Sequence, residues 1–375
     1  MTRNYRLMLG MIVGLTACGG SGGLLAQSFQ TTEVTRFSEP WAMTFLPDGR
    51  LLVTEKAGTM KLLAPDDGTI GEIGGLPDPS GIAYGGQGGF GDIVLHPDFA
   101  ENRLVYVSFG EVGSGRQSGA AVARARLALD GNGGTLEGFE VIWRQSPKVG
   151  GGGHYGQRIA FGDGYLWISA GERQQGAPAQ DLAQTLGKIV RLNEDGSVPA
   201  DNPFADRGGV AAEVWSLGHR NPLGLAFDAN GQLWNVEMGP RGGDELNRVE
   251  RGVNFGWPVV SNGTEYSGAP IPDHPTRPEF VPPVVYWVPS ISPSSLMFYD
   301  GAQFPDWRGD AFIGGLSSQA IVRVEFDADG AHEAERLEMN MRIRSVVEGP
   351  DGAIWALEDG SRGGSGRLLK LTPGN

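Results

Sequence analysis

FGDGYLWISAGE, residues 161–172, carries the pattern from which the rest of the chain can be understood. Asp163 and Gly164 tolerate the positive φ of a tight hairpin turn, and the residues that follow are mostly aromatic, aliphatic or β-branched, as a buried strand requires. The same turn-then-strand unit recurs as LPDGRLLVTEK from Leu46, HPDFAENRLVYVSFG from His96, FDANGQLWNVEMG from Phe227, FPDWRGDAFIGGL from Phe304 and GPDGAIWALED from Gly349. The copies lie about 45 to 80 residues apart, close to the length of a four-stranded propeller blade once loop insertions are allowed. The sequence therefore predicts an all-β chain, a six-bladed β-propeller of four-stranded antiparallel blades. No segment sustains a helical period, and Ala179–Leu186 is the one stretch expected to form a short helix.

Composition agrees with many short strands. Glycine supplies 61 of the 375 residues and proline 24, while a hydrophobic fraction of 40% provides the apolar surface that disordered chains lack. No composition break divides the chain, so a single propeller domain is expected over residues 34–373. A formal net charge of -14 repels nucleic acid at long range, and no run of Lys or Arg offers a local exception.

The first residues have the pattern of an export signal. Arg3 and Arg6 precede an apolar stretch, Leu7 to Leu15, too short to span a bilayer. Leu15-Thr16-Ala17-Cys18 then resembles a bacterial lipobox, which gives a signal peptide over residues 1–17, a lipid anchor at Cys18 and a flexible linker over residues 18–33. An ordinary secretory cleavage near Ala26 is the alternative. Either way the mature protein is expected outside the cytoplasm, in the periplasm or on the outer membrane. Cys18 is the only cysteine, so no intramolecular disulfide can form.

Several polar residues interrupt this apolar scaffold. His154 follows the glycine run Gly150–Gly153, which allows close backbone approach to a ligand, and an imidazole with a pKa near ~6.5 suits a general base. Arg220 and Asn221 precede Pro222, hence lie in extended or turn geometry, where the guanidinium fork can hold a carboxylate or a pair of carbonyls. Arg342 and Arg344, two apart on a strand, share one face, and such a like-charged pair calls for an anion or acidic groups between them, a surface salt-bridge pair being the alternative. EMGPRGGDELN, from Glu237, offers hard oxygen ligands of the kind calcium takes, at the backbone of Gly239 and Pro240 and on Asp244 and Glu245. Trp257, Tyr286 and Trp287 are candidates to line a slot for a sugar or a flat cofactor, the alternative being packing between blades. GGQGGFG, from Gly85, opens no helix and is not a nucleotide fingerprint.

Taken together and in order, PWAMTFLPDGRLLVTE, GGQGGFGDIVLHPDF, HYGQRIAFGDGYLWISAGE, EVWSLGHRNPLGLAF, EMGPRGGDELN, NFGWP and IRSVVEGPDG resemble the soluble aldose sugar dehydrogenases that use pyrroloquinoline quinone and calcium, across Phe37 to Leu371. The resemblance implies oxidation of an aldose at its C1 hydroxyl to a lactone, with hydride passing to the quinone. It makes His154 the general base and Gln87 a contact to cofactor and substrate. Arg220, with Asn221 beside it, would polarise the quinone carbonyls, and Arg342 with Arg344 would grip the cofactor's carboxylates. Carbonyls of Gly239 and Pro240 match ligands of the calcium that bridges protein and cofactor. Glu245 and the carbonyl of Phe255 match ligands of a second calcium, and Trp287 is the expected substrate contact. With no CxxCH haem motif, electrons would pass to an external acceptor. Two positions depart from the family pattern: Ser317 stands where a lysine is usual, and Gln157 replaces a glycine, which is expected to narrow the site. A calcium-dependent propeller lactonase, which would not need the arginine pair, and a non-catalytic sugar- or protein-binding propeller, which the Ser317 departure suggests, are the alternatives.

Overall fold

The DG and PDG turns do what their chemistry dictates. Asp163 (φ 54°) and Gly164 (φ 78°) form the two-residue turn between paired residues Gly162 and Tyr165, both in the left-handed region that a primed hairpin turn demands. In the Leu46 repeat, Asp48 accepts from the Arg50 backbone N–H (3.1 Å), and Leu46 N–H closes the loop onto the Arg50 carbonyl (2.7 Å).

The computed structural model describes residues 28–328, 330–360 and 363–374. The signal peptide, Cys18 and most of the expected linker lie outside the described residues. The described residues begin with β1 (Phe29–Ser38) and continue with β2 (Pro40–Phe45), β3 (Leu51–Glu55), β4 (Thr59–Ala64) and β5 (Thr69–Gly74). Next come β6 (Phe90–Leu95), β7 (Leu104–Val112), β8 (Ser118–Asp130) and β9 (Gly133–Arg144), then β10 (Gly156–Gly162), β11 (Tyr165–Ala170), β12 (Lys188–Leu192) and β13 (Val214–Leu217). They are followed by β14 (Pro222–Phe227), β15 (Leu233–Glu237), β16 (Asp244–Arg248) and β17 (Val285–Trp287), and by β18 (Pro293–Phe298), β19 (Ala311–Gly315), β20 (Ala320–Asp327) and β21 (Gly330–Glu338). The chain ends in β22 (Ile343–Glu348), β23 (Ile354–Glu358) and β24 (Ser365–Pro373).

Consecutive strands form four-stranded antiparallel meanders, β10 to β13, β14 to β17 and β18 to β21. β2 to β5 and β6 to β9 do the same, but their outer strands touch through two parallel residue pairs, Ile73 with Gly134 and Gly74 with Thr135, which joins them into one sheet. The last sheet is assembled from both ends of the chain: β1 pairs antiparallel with β24, from Phe29 opposite Pro373 to Ser38 opposite Ser365. The expected linker therefore ends earlier than residue 33, because Phe29–Glu33 already belongs to a strand. As an outer strand β1 is largely exposed, so its sequence, FQTTEVTRFS, shows little of the apolar alternation that marks inner strands.

The first strands of the meanders, β2, β6, β10, β14, β18 and β22, contact one another in succession, and β22 contacts β2. Apolar clusters fill the spaces between sheets. One joins Trp234, Val236 and Leu246 to Leu296, Ile313 and Val322. The expected helix at Ala179–Leu186 is instead a 3-10 turn over Ala177–Gln180. Its carbonyls are diverted: the Lys188 ammonium donates to the oxygens of Leu186 (2.7 Å), Pro178 (2.8 Å) and Ala179 (3.1 Å), so no i to i+4 ladder continues.

Candidate active site

His154 sits just before β10 with φ 50°, a conformation that costs a non-glycine residue on the order of 1 kcal/mol and persists only where the surroundings enforce it. The enforcement is visible: its N–H donates to Gln87 Oε1 (2.7 Å) and its carbonyl accepts from Arg173 N–H (3.1 Å). Its Nδ1 is hydrogen-bonded to Glu172 Oε1, and the second Glu172 oxygen accepts from Gly176 N–H (2.6 Å). Both side chains are buried. The carboxylate acceptor fixes the proton on Nδ1, and Nε2 has no protein hydrogen bond among the described residues, so its lone pair is free to accept a proton. Burial lowers the His154 pKa below its ordinary value; the Glu172 hydrogen bond opposes this and the nearby Arg220 cation adds to it. The ring is thus held neutral near pH 7, the state a base requires.

The loop before β14 brings Arg220 and Asn221 against this dyad. The Arg220 carbonyl accepts from Glu172 N–H (2.9 Å), and Asn221 bridges Gly156 N–H (3.2 Å) to Gln87 Oε1 (3.4 Å). The Arg220 guanidinium donates to the carbonyls of Met238 (2.9 Å) and Gly239 (2.7 Å) and to the Tyr266 hydroxyl (3.1 Å). Behind it a cavity of about 10 Å³ is lined by Glu237, Gly239, Glu245, Phe255 and Ser261, among others. That volume holds about one water-sized guest. Burial, with Glu237 nearby, pushes the Glu245 pKa well up, and among the described residues its carboxyl accepts from Asn247 alone (3.2 Å). Carbonyl oxygens beside a buried, undercompensated carboxylate suit a hard cation. Among the described residues no three His, Cys, Asp or Glu side chains converge on one point, so a cation here would rest largely on backbone oxygens. Gly239, Glu245 and Phe255 share this cavity; Pro240 does not line it.

A larger cavity, about 740 Å³, opens beside Gln87 and is walled by Glu39, Trp41, Lys56, Tyr84, Leu223, Met238, Leu316, Arg342, Arg344 and Asp359, among others. Its size suits a small organic molecule. The anion expected between the paired arginines is in part internal: Asp359 accepts from Arg342 Nε (2.9 Å) and Arg344 Nη2 (3.0 Å). Burial would raise the Asp359 pKa, but the Arg344 and Arg342 guanidiniums overcome it and hold the carboxyl below its ordinary value. Lys56 adds a third cation, 3.2 Å from the Gly86 carbonyl and 3.9 Å from Glu39, which also accepts from the Tyr84 hydroxyl. Three cations against the two carboxylates Glu39 and Asp359, with apolar Trp41, Leu223 and Leu316 in the same wall, leave a net positive lining that suits a flat anionic molecule.

His154 and Arg220 do not themselves line the large cavity; Gln87 and Met238 connect them to it. Trp287 is corrected: it packs with Trp234 and Leu246, and its Nε1 donates to Glu333 (2.6 Å). As a β17 residue facing the neighbouring sheet it cannot reach the site, whereas Tyr286, next to it on the opposite face, is exposed. Gln157 does not line the cavity either. Its buried side chain turns toward Gly91, where a Cβ would come within 2.8 Å of its amide nitrogen. Ser317 donates to the Ser290 carbonyl (3.0 Å) while its neighbour Leu316 lines the cavity. Sequence reasoning missed Glu172, Glu39, Lys56 and Asp359 as site residues. Each stands at or beside a strand end, Glu172 after β11, Lys56 after β3 and Asp359 after β23, and acidic or basic residues there were the available signal.

A β-propeller with a buried histidine–carboxylate pair beside a cation-walled cavity defines a class, and comparison with known proteins gives it a family. The chain belongs to the Glucose / Sorbosone dehydrogenase family, whose profile matches residues 37–370. It is 40% identical over 349 residues to aldose sugar dehydrogenase YliI of Escherichia coli (strain K12), covering 91% of each chain. The apo crystal structure of the soluble aldose sugar dehydrogenase from Escherichia coli superposes with a TM-score of 0.85 at 38% identity, covering 92% of this chain and 100% of that one. The pyrroloquinoline quinone-bound aldose sugar dehydrogenase from Streptomyces coelicolor gives a TM-score of 0.76 at 28% identity, over 92% of this chain and 98% of that one.

Proposed function

We propose that the protein is a six-bladed quinoprotein that oxidises aldose sugars at the C1 hydroxyl to lactones and passes the electrons to an external acceptor. The observation that carries the reading is His154, neutral, oriented by Glu172 and free at Nε2, adjoining a cavity walled by Arg342, Arg344 and Lys56. Six blades are supported by the closed succession of first strands. When bound, pyrroloquinoline quinone would supply the two-electron acceptor that no amino-acid side chain provides. Arg342, Arg344 and Lys56 would hold its carboxylates, and Trp41 and Leu223 would bear on its flat face. Arg220 would hydrogen-bond its carbonyls, with Asn221 keeping Gln87 in place. Calcium is proposed at Gly239 and Pro240 beside the cofactor and at Glu245 with the Phe255 carbonyl. His154 Nε2 takes the proton of the C1 hydroxyl, and Glu172 stabilises the imidazolium that results.

Export to the periplasm, with a lipid anchor at Cys18, is proposed on the first residues alone. The test of function is titration of the apo-protein with quinone and calcium, followed by dye reduction with a panel of aldoses. Saturable binding with sugar-dependent reduction is expected; no binding at micromolar quinone overturns the reading. His154→Ala is expected to keep quinone affinity and lower turnover by about 10²- to 10⁴-fold.

A further inference from the structure

The ring of first strands encloses an axis, and one side chain spans it. Arg158, on β10, is 6% exposed and reaches every other first strand. Its Nε donates to the Leu223 carbonyl on β14 (2.7 Å), Nη1 to Asp92 Oδ1 on β6 (3.0 Å), and Nη2 to the carbonyls of Ser294 on β18 (2.5 Å) and Arg344 on β22 (3.4 Å). The guanidinium carbon lies 4.0 Å from the centre of the Trp41 ring on β2. Asp92 is fixed in turn by Ile159 N–H (3.0 Å). Three of the residues it touches, Trp41, Leu223 and Arg344, line the large cavity. Arg158 itself lines a second cavity of about 200 Å³ with Asp92, Ser295 and Ser345, among others.

We propose that Arg158 is a positioning residue for the anionic cofactor: it fixes Trp41, Leu223 and Arg344, three parts of the wall against which the cofactor lies. A planar fork with five donors can satisfy several strands at once; a lysine, a point donor on a flexible stem, cannot. The role rests on the quinone-binding reading above.

The test compares wild type, Arg158→Lys, the double variant Arg158→Met with Asp92→Asn, and Arg342→Ala. Each is titrated with pyrroloquinoline quinone in calcium, followed by tryptophan fluorescence, and each is melted without cofactor. Arg158→Lys keeps a cation opposite Asp92 and is expected to melt cooperatively, with quinone affinity reduced about tenfold; the double variant is expected to lose about a hundredfold. At saturating quinone the sugar KM of Arg158→Lys stays at the wild-type value, because the substrate side is untouched. A lowered melting midpoint with wild-type quinone affinity in Arg158→Lys would show that the residue only supports the fold, and overturns the proposal. Failure of wild type to bind quinone sinks the functional reading itself. If wild type binds and Arg342→Ala weakens binding while Arg158→Lys does not, only the positioning role falls.

Discussion

His154 owes its chemistry to a partner 18 residues away. Glu172 raises the affinity of the ring for its proton, while burial, Arg220 and Arg173 oppose it and prevail. The acid limb of kcat/KM is therefore expected below the ordinary histidine value of about 6.5. In Glu172→Gln the one supporting carboxylate is gone, so the limb moves further down and kcat falls; a pH–rate profile with an unchanged limb would contradict the coupling. Trp287 gives the opposite kind of prediction. Trp287→Phe loses a buried contact and the Glu333 hydrogen bond, which costs about 1–3 kcal/mol in urea unfolding, and it leaves the sugar KM where it was. Sequence made His154 visible because a glycine run announces it. It left Glu172 and Asp359 unremarked because an acid at a strand end does not say which group it will meet once another strand is brought beside it. Tyr286 and Trp287 were indistinguishable for the same reason: strand face, not residue type, decides which of them packs.

At the scale of elements, hairpins were the legible part. A DG turn followed by an apolar run has one good solution, and Asp163 with Gly164 adopts it. The polar strand β1 and the turn at Ala177–Gln180 were illegible, since one is stabilised by its pairing with β24 and the other by a lysine ammonium. That lysine is testable. Burial pushes Lys188 down to about 7, against about 10.4 for the unfolded chain. Between those values the unfolded state binds more protons, so this group makes stability rise with pH through the window and removes that gain as pH falls through about 7. Wild-type stability minus that of Lys188→Met is expected to rise from pH 7 to pH 9, by up to about 1 kcal/mol per pH unit. Urea unfolding at the two pH values reads it, and a constant difference would show that the three carbonyls keep the ammonium charged.

Across the whole molecule, a ligand that binds only the folded ring should stabilise it. Quinone at a hundredfold excess over its Kd, with calcium, is expected to add about 2.7 kcal/mol and raise the melting midpoint. Chelation should lower the midpoint of the calcium-loaded protein, and added calcium should restore it; an indifferent midpoint would count against cation binding at Glu245. Repeat spacing made the large-scale architecture legible before any residue role was assigned, because each unit repeats the same hairpin chemistry. Which sheet the chain's two ends would share was not legible, since β1 lacks the pattern of the repeats.

That shared sheet also orders events in time. A ribosome completes β1 more than three hundred residues before its partner β24, so β1 waits through that stretch of synthesis with β24 not yet available to join. Loops of that length close slowly. The ring can be shut only once β24 has been made, and a chain lacking Ser365–Pro373 would present β1 and β23 as two bare edges open to pairing with other chains.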